Sequence, residues 1–265
     1  MSVGQTADGD LRVSAARPIV IGNWKMNGLR EQLAEIRLLA GMLEGIDLRC
    51  DVAICPPATL ISSACEALEG SVVKVGGQDC HTEPAGAYTG DISAEMLRDI
   101  GAELVIVGHS ERRQRHGETD AIVCAKASAA HRAGLCAVIC IGESEEEREQ
   151  GETLAVITRQ LRESVPETAP ADLTIIAYEP VWAIGSGRTP TEAEIAEVHL
   201  TVRRFLAERF GEAAAQEVRI LYGGSMKPSN ARSILAIDHV DGGLVGQASL
   251  QARDFLGIIA EFAPC

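Results

Sequence analysis

The chain has 265 residues, of which 46% are hydrophobic, 23% charged and 3% aromatic, and its formal net charge is −14. That balance describes a soluble globular protein of one large domain or two small ones, with a core of Val, Ile, Leu and Ala. No apolar run is long enough to cross a membrane, and the acidic excess argues against nucleic acid or anionic lipid as a partner.

Residues 1–17 lack the apolar core of a signal peptide, and Asp8 and Asp10 disfavour a transit peptide. They read as a flexible leader ahead of a domain running from 18 to 265. The first β-rich run covers 19–22 and leads into Asn23-Trp24-Lys25-Met26-Asn27, with a helical stretch at 30–43 behind it. Further β-rich runs follow at 51–55, 72–76 and 103–107. The last of these ends in Gly108-His109-Ser110-Glu111-Arg112-Arg113, where a short helix is expected over 110–114 and a longer one over 119–133. A run at 135–141 precedes a helical stretch at 144–164, and a run at 173–178 ends at Glu179. Behind Glu179 come Pro180, Gly185, Gly187 and Pro190, the stiff and permissive residues of a hinged lid. Thr191 and Glu194 form a capping box for a helix over 191–210. The chain finishes with runs at 218–222 and 242–246 and helical stretches at 229–235 and 250–262.

Strict alternation of strand and helix implies a parallel sheet. Eight such units closing on themselves give a single-domain, eight-stranded parallel (β/α)8 barrel, and the stretch after residue 17 matches its usual size of about 250 residues. A doubly wound open sheet would carry a glycine-rich fingerprint after its first strand, and residues 22–28 do not supply one. In a barrel the active groups project from the carboxyl ends of the strands. Lys25, His109, Glu179, Ser225 and Gly246 occupy such ends after the first, fourth, sixth, seventh and eighth runs.

These positions suggest chemistry. Glu179, held at the end of an apolar strand beside a hinge, is a candidate base. His109 faces the start of a helix, whose N–H groups disfavour a positive imidazole, so a neutral ring can donate to a substrate oxygen. Lys25 can offset developing anionic charge, and Glu111 pairs either with Lys25 or with Arg112 and Arg113. Tyr222-Gly223-Gly224-Ser225 and residues 244–249, at the last two strand ends, suit a phosphate. None of the eight cysteines forms a CxxC pair and the six histidines are scattered, so no disulfide framework or metal site is expected. The thiols fit a reducing, cytoplasmic setting.

Taken together, these motifs, with Cys140-Ile141-Gly142-Glu143, closely resemble the triosephosphate isomerase family from about Pro18 to Phe262. The resemblance implies a TIM barrel that interconverts dihydroxyacetone phosphate and glyceraldehyde 3-phosphate without cofactor or metal, in glycolysis and gluconeogenesis. A glutamate base paired with a neutral histidine is the known pattern of that family, and it maps onto Glu179 and His109. Lys25 would stabilise the enediolate with Asn23 positioning it. Backbone N–H groups of Gly185, Ser225, Gly246 and Gln247 would hold the phosphate. The resemblance also implies a homodimer through the loop 78–92, opened by Gln78 and closed by Ile92, whose Thr89 would reach Asn23 and Lys25 of the other copy. Cys140 would pack near the base.

Three departures from the family stand out. Gln247 replaces a usual glycine, which would cost about 1–2 kcal/mol if its φ had to be positive. Pro190 lacks the N–H that often tethers the closed lid to the hydroxyl of Tyr222, so closure is expected to lean on Ser225 and Gly187. Ser186 and Arg188 stand for a usual Thr and Lys. Two other readings remain: an isomerase of a ketotetrose phosphate, for which Gln247 is the main reason, and a non-catalytic barrel used as a binding scaffold.

Overall fold

Each of the eight β-rich runs forms a short strand in the computed structural model, which describes residues 16–184 and 188–263. The strands are β1 (Ile19–Asn23), β2 (Asp51–Cys55), β3 (Val73–Gly77), β4 (Leu104–Val107), β5 (Cys136–Ile141), β6 (Thr174–Tyr178), β7 (Arg219–Tyr222) and β8 (Gly242–Val245). They pair in parallel in chain order, and β8 closes on β1. Buried on both faces, they alternate between two cores. Ile19, Ile21, Ile106, Val138 and Leu221 point into the barrel. Their neighbours Val20, Val105, Val107, Ile139 and Ile220 face the surrounding helices. With so few aromatics, small branched side chains fill the interior.

The helices are α1 (Leu33–Leu43), α2 (Ala58–Ala67), α3 (Ala94–Asp99), α4 (Ser110–His116), α5 (Asp120–Arg132) and α6 (Glu145–Glu149). They continue with α7 (Thr153–Ser164), α8 (Glu192–Phe210), α9 (Glu212–Ala215), α10 (Pro228–Leu235) and α11 (Ala252–Ile259). The stretch expected as one helix over 144–164 is two, because Gly151 adopts a φ of +74° that ends the first of them. The helices α2 and α3 were not singled out from the sequence. The capping box at α8 forms as read: Thr191 N–H donates to Glu194 Oε2 at 2.7 Å, and Glu194 N–H donates to Thr191 Oγ1 at 3.3 Å.

Arg17, assigned to the leader from sequence, donates to the carbonyls of Leu48 and Cys50 and pairs with Asp51 at 3.2 Å. Between β3 and α3, the loop 78–92 projects with residues 83–91 all exposed. His81 packs against Tyr88 at its tip, the two rings tilted by 36° with centroids 4.0 Å apart.

Candidate active site

Strand register brings the three candidate groups together. The ends of β4, β5 and β6 lie side by side, with Val107 opposite Ile139 and Ile141 opposite Tyr178. Glu179 and His109 therefore leave neighbouring parts of the rim, while Lys25 leaves the end of β1. All three line one cavity of about 790 Å3, with Asn23, Ser225, Gly246 and Gln247 on its wall.

His109 and Glu179 are only 5% and 2% exposed, so their contact is shielded from water. His109 Nε2 lies 2.7 Å from Glu179 Oε1. The other ring nitrogen, Nδ1, accepts a hydrogen bond from the Glu111 N–H at 3.2 Å. A nitrogen that accepts carries no proton, so the proton sits on Nε2 and the ring is neutral. His109 is also the N-cap of α4, where the backbone dipoles oppose a positive ring.

Glu179 uses its second oxygen as well, accepting from the Ser110 N–H at 2.9 Å. Burial works to raise its pKa, but the His109 imidazole, the Ser110 N–H and the Lys25 ammonium hold it below the ordinary carboxylate value. The group is thus an ionised carboxylate with both oxygens engaged. To take a proton from a bound carbon acid it must leave His109, and that movement frees the Nε2–H for a substrate oxygen. Gly223 leaves room for this side chain, since a Cβ there would lie 2.9 Å from Glu179 Cγ.

Lys25 is held less simply than its sequence suggested. Its φ is +53°, a left-handed conformation that costs a non-glycine residue about 1–2 kcal/mol. Local hydrogen bonds offset that strain: Lys25 N–H donates to Asn23 Oδ1 at 3.0 Å, and Gln78 Nε2 donates to Lys25 O at 2.8 Å. The ammonium meets Glu111 Oε1 at 2.7 Å, which selects the first of the two partners left open for Glu111. Arg112 and Arg113 pair elsewhere, with Asp79 and Glu118 and with Asp120.

The segment that follows Glu179 is anchored to Glu143. Its Oε1 accepts from Trp182 Nε1 at 2.8 Å and from the Tyr178 hydroxyl at 3.2 Å, and burial raises its pKa. Arg148 covers the Trp182 ring at 4.2 Å. Cys140 is fully buried, and burial together with the Glu179 charge keeps its thiol protonated.

The sequence profile of the triosephosphate isomerase family matches residues 18–262. The chain belongs to the triosephosphate isomerase family. It is 59% identical to the triosephosphate isomerase of Xanthobacter flavus over 242 residues, covering 91% of this chain and 96% of that protein. The triosephosphate isomerase of Mesorhizobium japonicum is 57% identical over 243 residues, covering 91% and 94%. The crystal structure of triosephosphate isomerase from Bartonella henselae superimposes with a TM-score of 0.87 at 50% identity, over 93% of this chain and 99% of that one.

Against the family pattern, Gln247 brings no backbone strain. Lys25 and His239 are the non-glycine residues with positive φ among the described residues, and Gln247 instead opens a one-turn helix, Gln247–Leu250, with its side chain exposed. The buried Tyr222 hydroxyl has no hydrogen-bond partner among the described residues, as the missing N–H of Pro190 would have it. Gly185 and Gly187 lie outside the described residues.

Three contributors escaped the sequence reading. Ser110 acts through its backbone N–H, which side-chain patterns do not register. Gln78 only opens a loop in the sequence, yet it also donates to Cys55 O at 2.8 Å and so ties Lys25 to β2. Gln160, on α7, reaches the segment beside Glu179 and carries no local motif at all.

Proposed function

We infer that the chain interconverts dihydroxyacetone phosphate and D-glyceraldehyde 3-phosphate, the triosephosphate isomerase reaction of glycolysis and gluconeogenesis. One observation carries the reading: a neutral imidazole and an ionised carboxylate meet at 2.7 Å in a cavity that also presents an ammonium. The substrate carbonyl takes the His109 Nε2–H bond, and Glu179, released, removes a proton from the adjacent carbon. The enediolate that forms carries negative charge beside Lys25. His109 moves a proton between the two enediolate oxygens, and Glu179 returns its proton to the neighbouring carbon. No atom is gained or lost, and both proton shifts run through Glu179 and His109.

The phosphate is held by backbone N–H groups of Gly185, Ser225, Gly246 and Gln247. With a net charge of −14 on the chain, such local donors outweigh the bulk field, which salt screens beyond about 8 Å. The chain works as a homodimer in the cytoplasm. Support for the dimer is the exposed stretch 83–91 of the loop 78–92, with Tyr88 at its tip, together with the apolar side chains of Met26 and Leu29, which are 95% and 71% exposed. Thr89 would dock beside Asn23 and Lys25 of the second copy.

A coupled assay with glyceraldehyde 3-phosphate tests the reading. Wild-type protein turns over, and Glu179→Asp and His109→Gln each lower kcat by about 100- to 10,000-fold. An inactive wild type, or a His109→Gln variant as fast as wild type, defeats it.

A further inference from the structure

Gln160 lies behind Glu179 on the side away from the substrate cavity, and both line a second space of about 180 Å3. It is only 7% exposed. Its amide is spent on one residue: Gly142 N–H donates to Gln160 Oε1 at 2.7 Å, and Gln160 Nε2 donates to Gly142 O at 3.1 Å. Two-point contact of this kind fixes both the position and the tilt of the Gly142 backbone.

Gly142 is the residue against which Glu179 rests. The strand ladder reaches Glu179, whose N–H donates to Ile141 O at 2.7 Å, and resumes at Val181, whose N–H donates to Glu143 O at 3.2 Å. Between those bonds the two backbone segments are so close that a Cβ on Gly142 would lie 1.8 Å from the Glu179 carbonyl oxygen. Any drift of Gly142 therefore moves the Glu179 backbone. Four residues along the same face of α7, Ser164 Oγ accepts from Arg113 at 3.0 Å, and Arg113 Nε donates to Gly108 O at 2.9 Å, next to His109. One helix face braces both sides of the His109–Glu179 pair.

We propose that Gln160 is a positioning residue for the proton transfers, clamping Gly142 so that Glu179 swings accurately between His109 and the substrate carbon. The inference rests on the isomerase reading above. It works through geometry, because a displacement of about 1 Å at a reacting group costs on the order of 100-fold in rate.

The experiment uses the full chain and triose phosphate, with Gln160→Met, which keeps the length and volume but makes neither bond. Gln160→Glu, which keeps the acceptor for Gly142 N–H, is the second variant should the first not fold. The expected result is a fall in kcat of about 10- to 100-fold for Met and a smaller one for Glu, with KM within about threefold of wild type. In a Glu179→Asp background, where the base is already displaced, the loss on changing Gln160 should shrink to a few-fold. A merely structural role would lower the melting temperature and leave the kinetic effects independent of residue 179. An active wild type with undiminished kcat in the folded variants, or with losses that multiply fully in the Glu179→Asp background, overturns the proposal alone. An inactive wild type overturns the functional reading and this inference with it.

Discussion

Acidification should destabilise this protein through His199, and the effect can be isolated. His199 is fully buried on α8, with Nδ1 2.9 Å from His239 O, the Tyr178 ring edge-on at 6.1 Å, and no partner for Nε2 among the described residues. Burial pushes its pKa down from 6.5 to about 4; the His239 carbonyl opposes the shift, and the neighbouring His239 and Arg203 charges add to it. The unfolded chain takes up a proton near 6.5, whereas the folded chain resists until about 4. Stability is therefore lost as pH falls through that window and levels off below it. Between pH 7 and pH 4.5 the loss from this one group comes to about 2.5 kcal/mol. His199→Gln removes the titration while keeping a donor for the His239 carbonyl. Urea unfolding at fixed protein concentration should find the variant less stable at pH 7, with the gap to wild type closing by about 2.5 kcal/mol at pH 4.5. Parallel pH profiles for the two proteins would refute the argument.

Four further outcomes follow from the site and the loop 78–92. Tyr222→Phe removes a buried hydroxyl with no partner among the described residues, so kcat should stay within about threefold and stability should rise by about 1 kcal/mol, read by steady-state kinetics and thermal unfolding. Ser225→Ala, by contrast, should lower turnover about 5- to 10-fold, the value of one hydrogen bond; an unchanged rate would count against a role in lid closure. Asn23→Ala releases the left-handed backbone of Lys25, and the 1–2 kcal/mol of strain should appear as an approximately 5- to 30-fold drop in kcat/KM. Thr89→Arg should shift the protein to monomers in sedimentation, with activity falling in parallel; an active monomer would refute a shared site.

Much of the site was legible because motif and strand end coincide. Glu179 follows a buried run directly and His109 follows one across Gly108, so alternation alone placed them on the same rim. The capping box at Thr191 was legible for the same reason: its partners are three residues apart. Residues whose partners are distant in the chain were not. Gln160 and Gly142 are 18 positions apart and Gln78 and Lys25 are 53 apart, and no local pattern marks either pairing. The single helix expected over 144–164 failed on backbone geometry, since a glycine inside a helical pattern signals a break only when its φ is known.

The amino-acid sequence by itself determined the eight-fold strand–helix order, the barrel, and the placement of Glu179 and His109 at strand ends, because period, turn residues and strand ends are local properties. Only the tertiary structure decided the protonation of His109, the ion pair of Lys25 with Glu111, the harmless backbone at Gln247 and the brace from α7 to Glu179. Each of those depends on which hydrogen-bond donors and charges lie within about 3 Å, and that distance is set by the closure of the barrel.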